Sequence, residues 1–313
     1  MSSVPDGLVE LGSMPRFRHT AFVYETQDEY VSRSVAFLRE GLEMDEGAVI
    51  VNTRPLLGVM REALGADAGK VAFVDLESVQ TRPSRTLAAY NEVYVDLLQR
   101  APSVRAVAGV AHGPDRDEWD EWIGFEAVLN RAFEHLPAWV VCTYDGSGLP
   151  APVREGVLQT HPEMLTGDGW RKSGEYEDAV QVLRKTAREP EPLQGLRAIP
   201  ATDDLESFQQ RLATELANEG VPVAKRLDMI LAGREIAANA LRHGGGLSAI
   251  RLGSFDGRFV CEVIDRGGGF DDPTVGFLAP RSGVGKGLWV ARQLTWRIEF
   301  FRSTSGFVAR IWL

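Results

Sequence analysis

Only two cysteines occur in the 313 residues, Cys142 and Cys261, so the paired framework of a small secreted domain is missing. Both lie in apolar runs, "AWVVCTY" and "RFVCEVI", which reads them as reduced core residues of strands. Long hydrophobic stretches are missing too, since no run approaches the roughly 18–20 residues that span a bilayer. The opening "MSSVPDGLVELGSMPRFRHT" has neither the basic start nor the continuous apolar core of a signal peptide. The expected location is therefore the cytoplasm, with no membrane partner. An excess of basic residues is also lacking. The formal net charge of −10 argues against direct nucleic-acid contact, which needs cationic surface to displace counterions, and fits a basic protein partner better.

Several catalytic signatures are absent as well. The closest approach to a phosphate-binding loop, "PRSGVGKG", carries proline where the first glycine belongs and glycine where Ser or Thr belongs. "HGGG" at 243–246 imitates an oxyanion motif, but no G-x-S-x-G elbow accompanies it, which excludes the esterase reading. None of the five histidines is followed by Asp or Glu, so a phosphohistidine relay is not expected. His19, Cys142 and His161 lack the short paired spacings of a zinc site, and they read as isolated packed or capping residues with no metal.

What is present falls into two parts. Between residues 15 and 165, short apolar runs alternate with helical patterns: "AFVY" (21–24), "AVIVN" (48–52), "VAFVD" (71–75), "VRAVAGV" (104–110) and "AWVVCTY" (138–144). Continuous apolar strands separated by 15 to 30 residues predict a mostly parallel α/β/α sheet with crossover helices on both faces. Ligands in such sheets bind beyond the carboxyl ends of the strands, where Tyr24, Glu25, Asn52, Arg54, Asp75, His112, Tyr144 and Asp145 stand.

Residues 166–195 read as a polar helix ("EYEDAVQVLRKTAR") and a proline-rich connector ("EPEPLQG"). From 196 to 313 the pattern changes to an edge strand "LRAIPAT", two helices, and the strands "LSAIRLGSF", "RFVCEVID" and "FVARIWL". This predicts a two-layer α/β sandwich, with Asp203 or Asp204 capping the first helix. Glu235 and Asn239 lie one helical turn apart in "REIAANALRH" and project from nearly the same side. They line either a ligand or a solvent-facing stripe with Arg234, Ala238 and Arg242. The stretch "VIDRGGGFDDP" (263–273) is likewise either a turn or a strand end whose bare backbone admits a ligand beside Asp265.

The order of these motifs narrows the choice. Glu-x-x-x-Asn on a helix, Asp-x-Gly-x-Gly after a strand, and Gly-x-Gly-Leu opening a further helix ("GVGKGLWVARQL") together resemble the GHKL ATPase superfamily, in particular the anti-sigma factors of the serine-kinase type. The resemblance covers roughly 197–313. It implies ATP and Mg2+ as cofactors, with Asp265 accepting from the adenine amino group and Gly267 and Gly269 keeping the purine's approach open. It further implies Asn239 as the magnesium ligand, Glu235 as the catalytic base, and Gly285, Lys286, Gly287 and Leu288 around the phosphates. Residues 270–284 would be a short lid.

The N-terminal part resembles the MEDS sensory domain through "HTAFVYE", "FLREGLEMDEGAVIVNTR" and "WVVCTYDGSGLPAPVREGVLQTHPEML". That resemblance implies a small-molecule ligand and makes His19, Tyr24, Arg54, Cys142, Tyr144 and His161 its candidate contacts. The combined expectation is a transcription regulator of the partner-switching kind. Its ATP-binding domain sequesters a sigma factor and phosphorylates a serine on a STAS-type anti-sigma antagonist. The alternatives are a nucleotide-responsive binding module without kinase activity, and an ATP-hydrolysing enzyme unrelated to transcription. The sigma factor, the antagonist and the oligomeric state, a homodimer being one option, are not legible.

Overall fold

The computed structural model describes residues 17–187, 190–278 and 286–313. Two compact units divide the chain at Ala179/Val180. Among the described residues, no helix is long and apolar enough to cross a membrane.

The first unit runs β1 (Phe17–Tyr24), α1 (Gln27–Glu43), β2 (Gly47–Asn52), α2 (Arg54–Leu64), β3 (Val71–Asp75), α3 (Leu76–Val79) and α4 (Pro83–Leu98). It continues with β4 (Val104–Gly109), α5 (Arg116–Ala132), β5 (Ala138–Asp145), α6 (Ala151–Thr160), β6 (Glu163–Thr166) and β7 (Gly169–Lys172). The strands form one sheet in the order β3-β2-β4-β5-β1-β6-β7. All pairs are parallel except the last, which is an antiparallel hairpin. All six residues of β4 are buried, which explains why its sequence is apolar without alternation: both faces are covered. The one charge in that strand, Arg105, donates to the Phe37 carbonyl and pairs with Glu40 and Glu46. The β6–β7 hairpin did not stand out in the sequence, because its four-residue strands are too short to show a period.

One face of the sheet packs on α1 and α2 through Phe22, Ile50, Val107 and Val141. The opposite face of β1 and β5 meets α5 and α6. Asp115 starts α5 by accepting from the backbone N–H of Asp117 and Glu118.

The second unit contains α7 (Ala179–Thr186), β8 (Arg197–Ile199), α8 (Leu205–Asn218), α9 (Val223–His243), β9 (Leu247–Phe255) and β10 (Arg258–Asp265). After β10 come α10 (Gly287–Leu294), β11 (Arg297–Ser303) and β12 (Gly306–Trp312). The α7 helix is shorter than the polar segment 175–188 suggested. The sheet order is β11-β12-β10-β9-β8 with every pair antiparallel. Helices α8, α9 and α10 bury Phe208, Leu212, Met229, Ile236 and Ala291 against Ile250, Leu252, Cys261 and Ala309.

Asp204 caps α8 by accepting from the Ser207 N–H at 2.7 Å. The β9–β10 hairpin turns on Asp256 and Gly257, both at positive φ (49° and 73°), the pairing that suits the twist of two antiparallel strands. Across four strands Arg251, Glu262, Arg310 and Glu299 stand opposite one another in register, so charges alternate along one row. Buried Glu262 and Arg310 meet at 2.8 Å, which leaves neither charge uncompensated.

Candidate functional sites

In the second unit, α9 presents the two residues singled out from the sequence. Glu235 and Asn239 are half-exposed, whereas Ala238, grouped with them in the solvent-facing stripe, is buried against the core. The helix face they share is therefore not a uniformly solvated one. The Glu235 carboxylate approaches the first residue of α10: a Cβ placed on Gly287 would lie 2.6 Å from Glu235 Oε2. Only glycine lets that carboxylate lie against the opening turn of α10.

At the other end of α9, Gly244 closes the helix, and the Asp265 carboxylate fills the space a side chain there would need, 2.5 Å from Cγ. Asp265 Oδ1 accepts from the Gly267 N–H at 2.7 Å. The carboxylate thus organises the turn that the sequence "DRGGGF" suggested. Partial burial raises the Asp265 pKa above the ordinary 3.8, and the Gly267 hydrogen bond partly offsets this.

The glycines differ in kind. A Cβ on Gly267 would meet the Gly244 backbone at 2.8 Å. Gly269 has φ +69°, and its Cβ would enter the Phe307 ring at 2.2 Å, so packing by itself requires glycine there. Lys286 is exposed at the start of α10, and Leu288 packs on the core beside Gly276. Gly285 and residues 279–284 of the expected lid lie outside the described residues. The near half of that segment is tied to α10: Arg292 Nε donates to the Val275 carbonyl at 3.2 Å, and its guanidinium stacks over Phe277 at 3.9 Å.

In the first unit, three residues that read as isolated in the sequence come together. His19 on β1, Cys142 on β5 and His161 after α6 converge with Glu126 on α5, and their donor atoms all lie within 4.8 Å of one another. His19 Nε2 is 3.2 Å from Cys142 Sγ and 3.1 Å from Glu126 Oε2. Glu126 Oε2 is 3.5 Å from both Cys142 Sγ and His161 Nε2. The two imidazole rings stand 4.0 Å apart. All four residues are buried.

Cys142 is a buried strand residue and His161 the C-cap of α6, as the sequence suggested; their isolation is what the structure corrects. Parallel pairing of β1 with β5 puts His19 diagonally beside Cys142 on one sheet face, an adjacency that short spacing cannot reveal. His161 does follow the last turn of α6, but its ring turns inward.

Glu126 escaped the sequence reading. Its signal was a carboxylate inside the apolar face of α5, between Phe125 and Ala127, with Asn130 one turn on. Burial holds the pKa of both His19 and His161 down to about 3, keeping the rings neutral. The same burial raises the Glu126 carboxyl and pushes the Cys142 thiol well up.

Tyr144 is buried edge-on to His161, with ring centroids 5.9 Å apart, and with Glu126 it lines a small apolar cavity bounded by Trp119, Trp122 and Val157. Tyr24 and Arg54 stand elsewhere, Tyr24 at the end of β1 and Arg54 at the start of α2. Burial and the nearby Asp145 raise the Tyr24 pKa, while the exposed Arg54 pairs with Asp75 at 2.6 Å.

Comparison with known families agrees with this two-part architecture. Residues 18–162 match the MEDS domain, described as the methanogen/methylotroph DcmR sensory domain. Residues 199–312 match the histidine kinase-like ATPase domain. The chain thus joins an N-terminal MEDS sensory domain to a C-terminal GHKL-type ATPase domain. No curated protein matches the chain.

Proposed function

We propose that this chain is an ATP-binding anti-sigma factor. On this reading the MEDS domain governs whether the ATPase domain holds a sigma factor or phosphorylates a serine of a STAS-type antagonist. The observation that carries it is the layout of α9. Glu235 abuts the N-terminus of α10, and nine residues later Gly244 abuts Asp265. At 1.5 Å per residue these two points are roughly 13 Å apart, a span suited to an extended nucleoside triphosphate.

The residues along that span fit such a ligand. Asp265 offers a carboxylate to a donor edge beside side-chain-free backbone. Asn239 offers an oxygen suited to a hard cation. The first N–H groups of α10, with Lys286 beside them, favour polyphosphate. Bound Mg-ATP supplies the phosphoryl group. Glu235 would take the proton of an attacking serine hydroxyl as the bond from its oxygen to phosphorus forms and the bond to the departing ADP breaks. Asn239 and the α10 amides orient the phosphates without moving protons.

The test uses the antagonist and sigma factor that co-purify with the protein. Transfer of labelled γ-phosphate to the antagonist, together with a sigma pull-down, supports the full reading. Sigma capture that responds to ATP without any transfer, with the sensory ligand present, replaces it by a nucleotide-gated binding module; the short lid, 270–284, favours that second reading. Neither transfer nor capture overturns both.

A further inference from the structure

We infer that the MEDS domain of this chain holds one late first-row divalent metal ion, zinc by its donor set, between His19 Nε2, Glu126 Oε2, Cys142 Sγ and His161 Nε2. The inference is independent of what the ATPase domain does.

Proton counting leads to it. The Asn130 amide is fixed because its Nδ2 donates to the Thr160 carbonyl at 2.8 Å, so Oδ1, 3.2 Å from His19 Nδ1, accepts from that ring. His19 Nδ1 therefore carries the hydrogen, and its Nε2 lone pair points into the cluster. His161 Nδ1 lies 2.9 Å from the Val157 carbonyl, which can only accept. Thr160 Oγ1 spends its own hydrogen on the Gly156 carbonyl at 2.8 Å and so also accepts from His161. The second imidazole thus aims a lone pair at the same point. Its Nε2 makes no hydrogen bond, nor does Glu126 Oε1.

Two imidazole lone pairs and a carboxylate therefore converge in a buried space where the side-chain hydrogens at hand for an ionised Glu126 are those of the Cys142 thiol and the Tyr144 hydroxyl, and neither ring carries a hydrogen on the nitrogen that faces it. Buried acceptors without donors are costly, and a cation at their centre satisfies all of them together.

Geometry and charge agree. Ligands about 2.0–2.3 Å from zinc in tetrahedral directions stand roughly 3.2–3.8 Å from one another. Four of the six separations here are 3.1, 3.2, 3.5 and 3.5 Å, and all six are within 4.8 Å. A thiolate and a carboxylate cancel a 2+ charge, so the loaded site is neutral where it is buried. Uptake releases the Cys142 proton, and any proton on Glu126, to solvent. Nitrogen and sulfur donors disfavour Mg2+ and Ca2+, which take oxygen. The Asn130 and Val157 acceptors behind the two rings are the supports that metal-bound histidines ordinarily have.

Full-length protein stripped with a chelator and titrated with Co2+ tests this. The expected result is one equivalent per chain, visible bands of tetrahedral cobalt, a thiolate-to-cobalt charge-transfer band, and displacement of cobalt by Zn2+. Cys142→Ser should abolish the thiolate band, while Cys261→Ser and exposed His135→Gln keep it. Asn130→Ala should weaken Zn2+ binding roughly 10- to 100-fold while leaving the band pattern intact. X-ray absorption of the zinc-loaded, unaltered chain gives the same answer without any variant, as one sulfur and three nitrogen or oxygen neighbours. The site is overturned if the unaltered chain takes up neither metal stoichiometrically, if bound zinc has no sulfur neighbour, or if the thiolate band follows Cys261 instead of Cys142.

Discussion

The carboxylate of Glu235 rests on Gly287, where a Cβ would stand 2.6 Å from Oε2. That contact couples the middle of α9 to the first turn of α10, and it is sensitive to a single methyl group. Gly287→Ala should turn the carboxylate aside without unfolding the domain, because the neighbour that must move is the end of a flexible side chain. Its phosphotransfer defect should match that of Glu235→Gln, about 10²–10⁴-fold, with ATP affinity within a few-fold of the parent. Single-turnover transfer and titration calorimetry on both variants check it. A Gly287→Ala protein with parental transfer would detach Glu235 from the chemistry.

Asn239→Ala should remove the magnesium dependence of ATP binding while the melting temperature stays near that of the parent. The side chain is half-exposed at the helix surface and carries little of the core. Calorimetry with and without magnesium reads the difference, and an unchanged magnesium effect would place the ion elsewhere.

Asp265→Asn should cost roughly 1.5–3 kcal/mol in ATP affinity, about ten- to a hundredfold, through loss of a charge-assisted hydrogen bond. The pH dependence follows from the raised Asp265 pKa. On the proposed reading the nucleotide's amino group favours the ionised carboxylate, so binding should be strongest above the free-state pKa and weaken as pH falls through it. The midpoint should lie above the ordinary 3.8. The same acid limb should be missing from the Asn variant. Affinity followed by calorimetry, with circular dichroism showing that the fold persists, decides the point.

Gly269→Ala should destabilise the second unit, by about 1–3 kcal/mol, whether or not nucleotide is present. It forces a side chain onto positive φ and into the Phe307 ring. A thermal melt of the nucleotide-free protein reads this directly. A parental melting temperature would mean that Gly269 serves ligand approach instead of packing.

The ATPase domain was legible along the chain because its signals are local. A glutamate and an asparagine four residues apart share a helix face by helical geometry alone. An aspartate before glycines marks a strand end. The parallel sheet was equally plain, since strands covered on both faces must be continuously apolar, as β4 is. That packing requires glycine at 269 is visible only once Phe307, on another strand, lies against it.

The buried cluster lay beyond any local pattern. Its histidine and cysteine are 123 residues apart in the chain and become neighbours only when β1 pairs with β5. Glu126 joins them only because α5 packs on that sheet face. Composition and periodicity determine which elements form and which faces turn inward. They do not determine which inward-facing side chains meet, because that depends on strand order and register, set by the packing of the whole sheet.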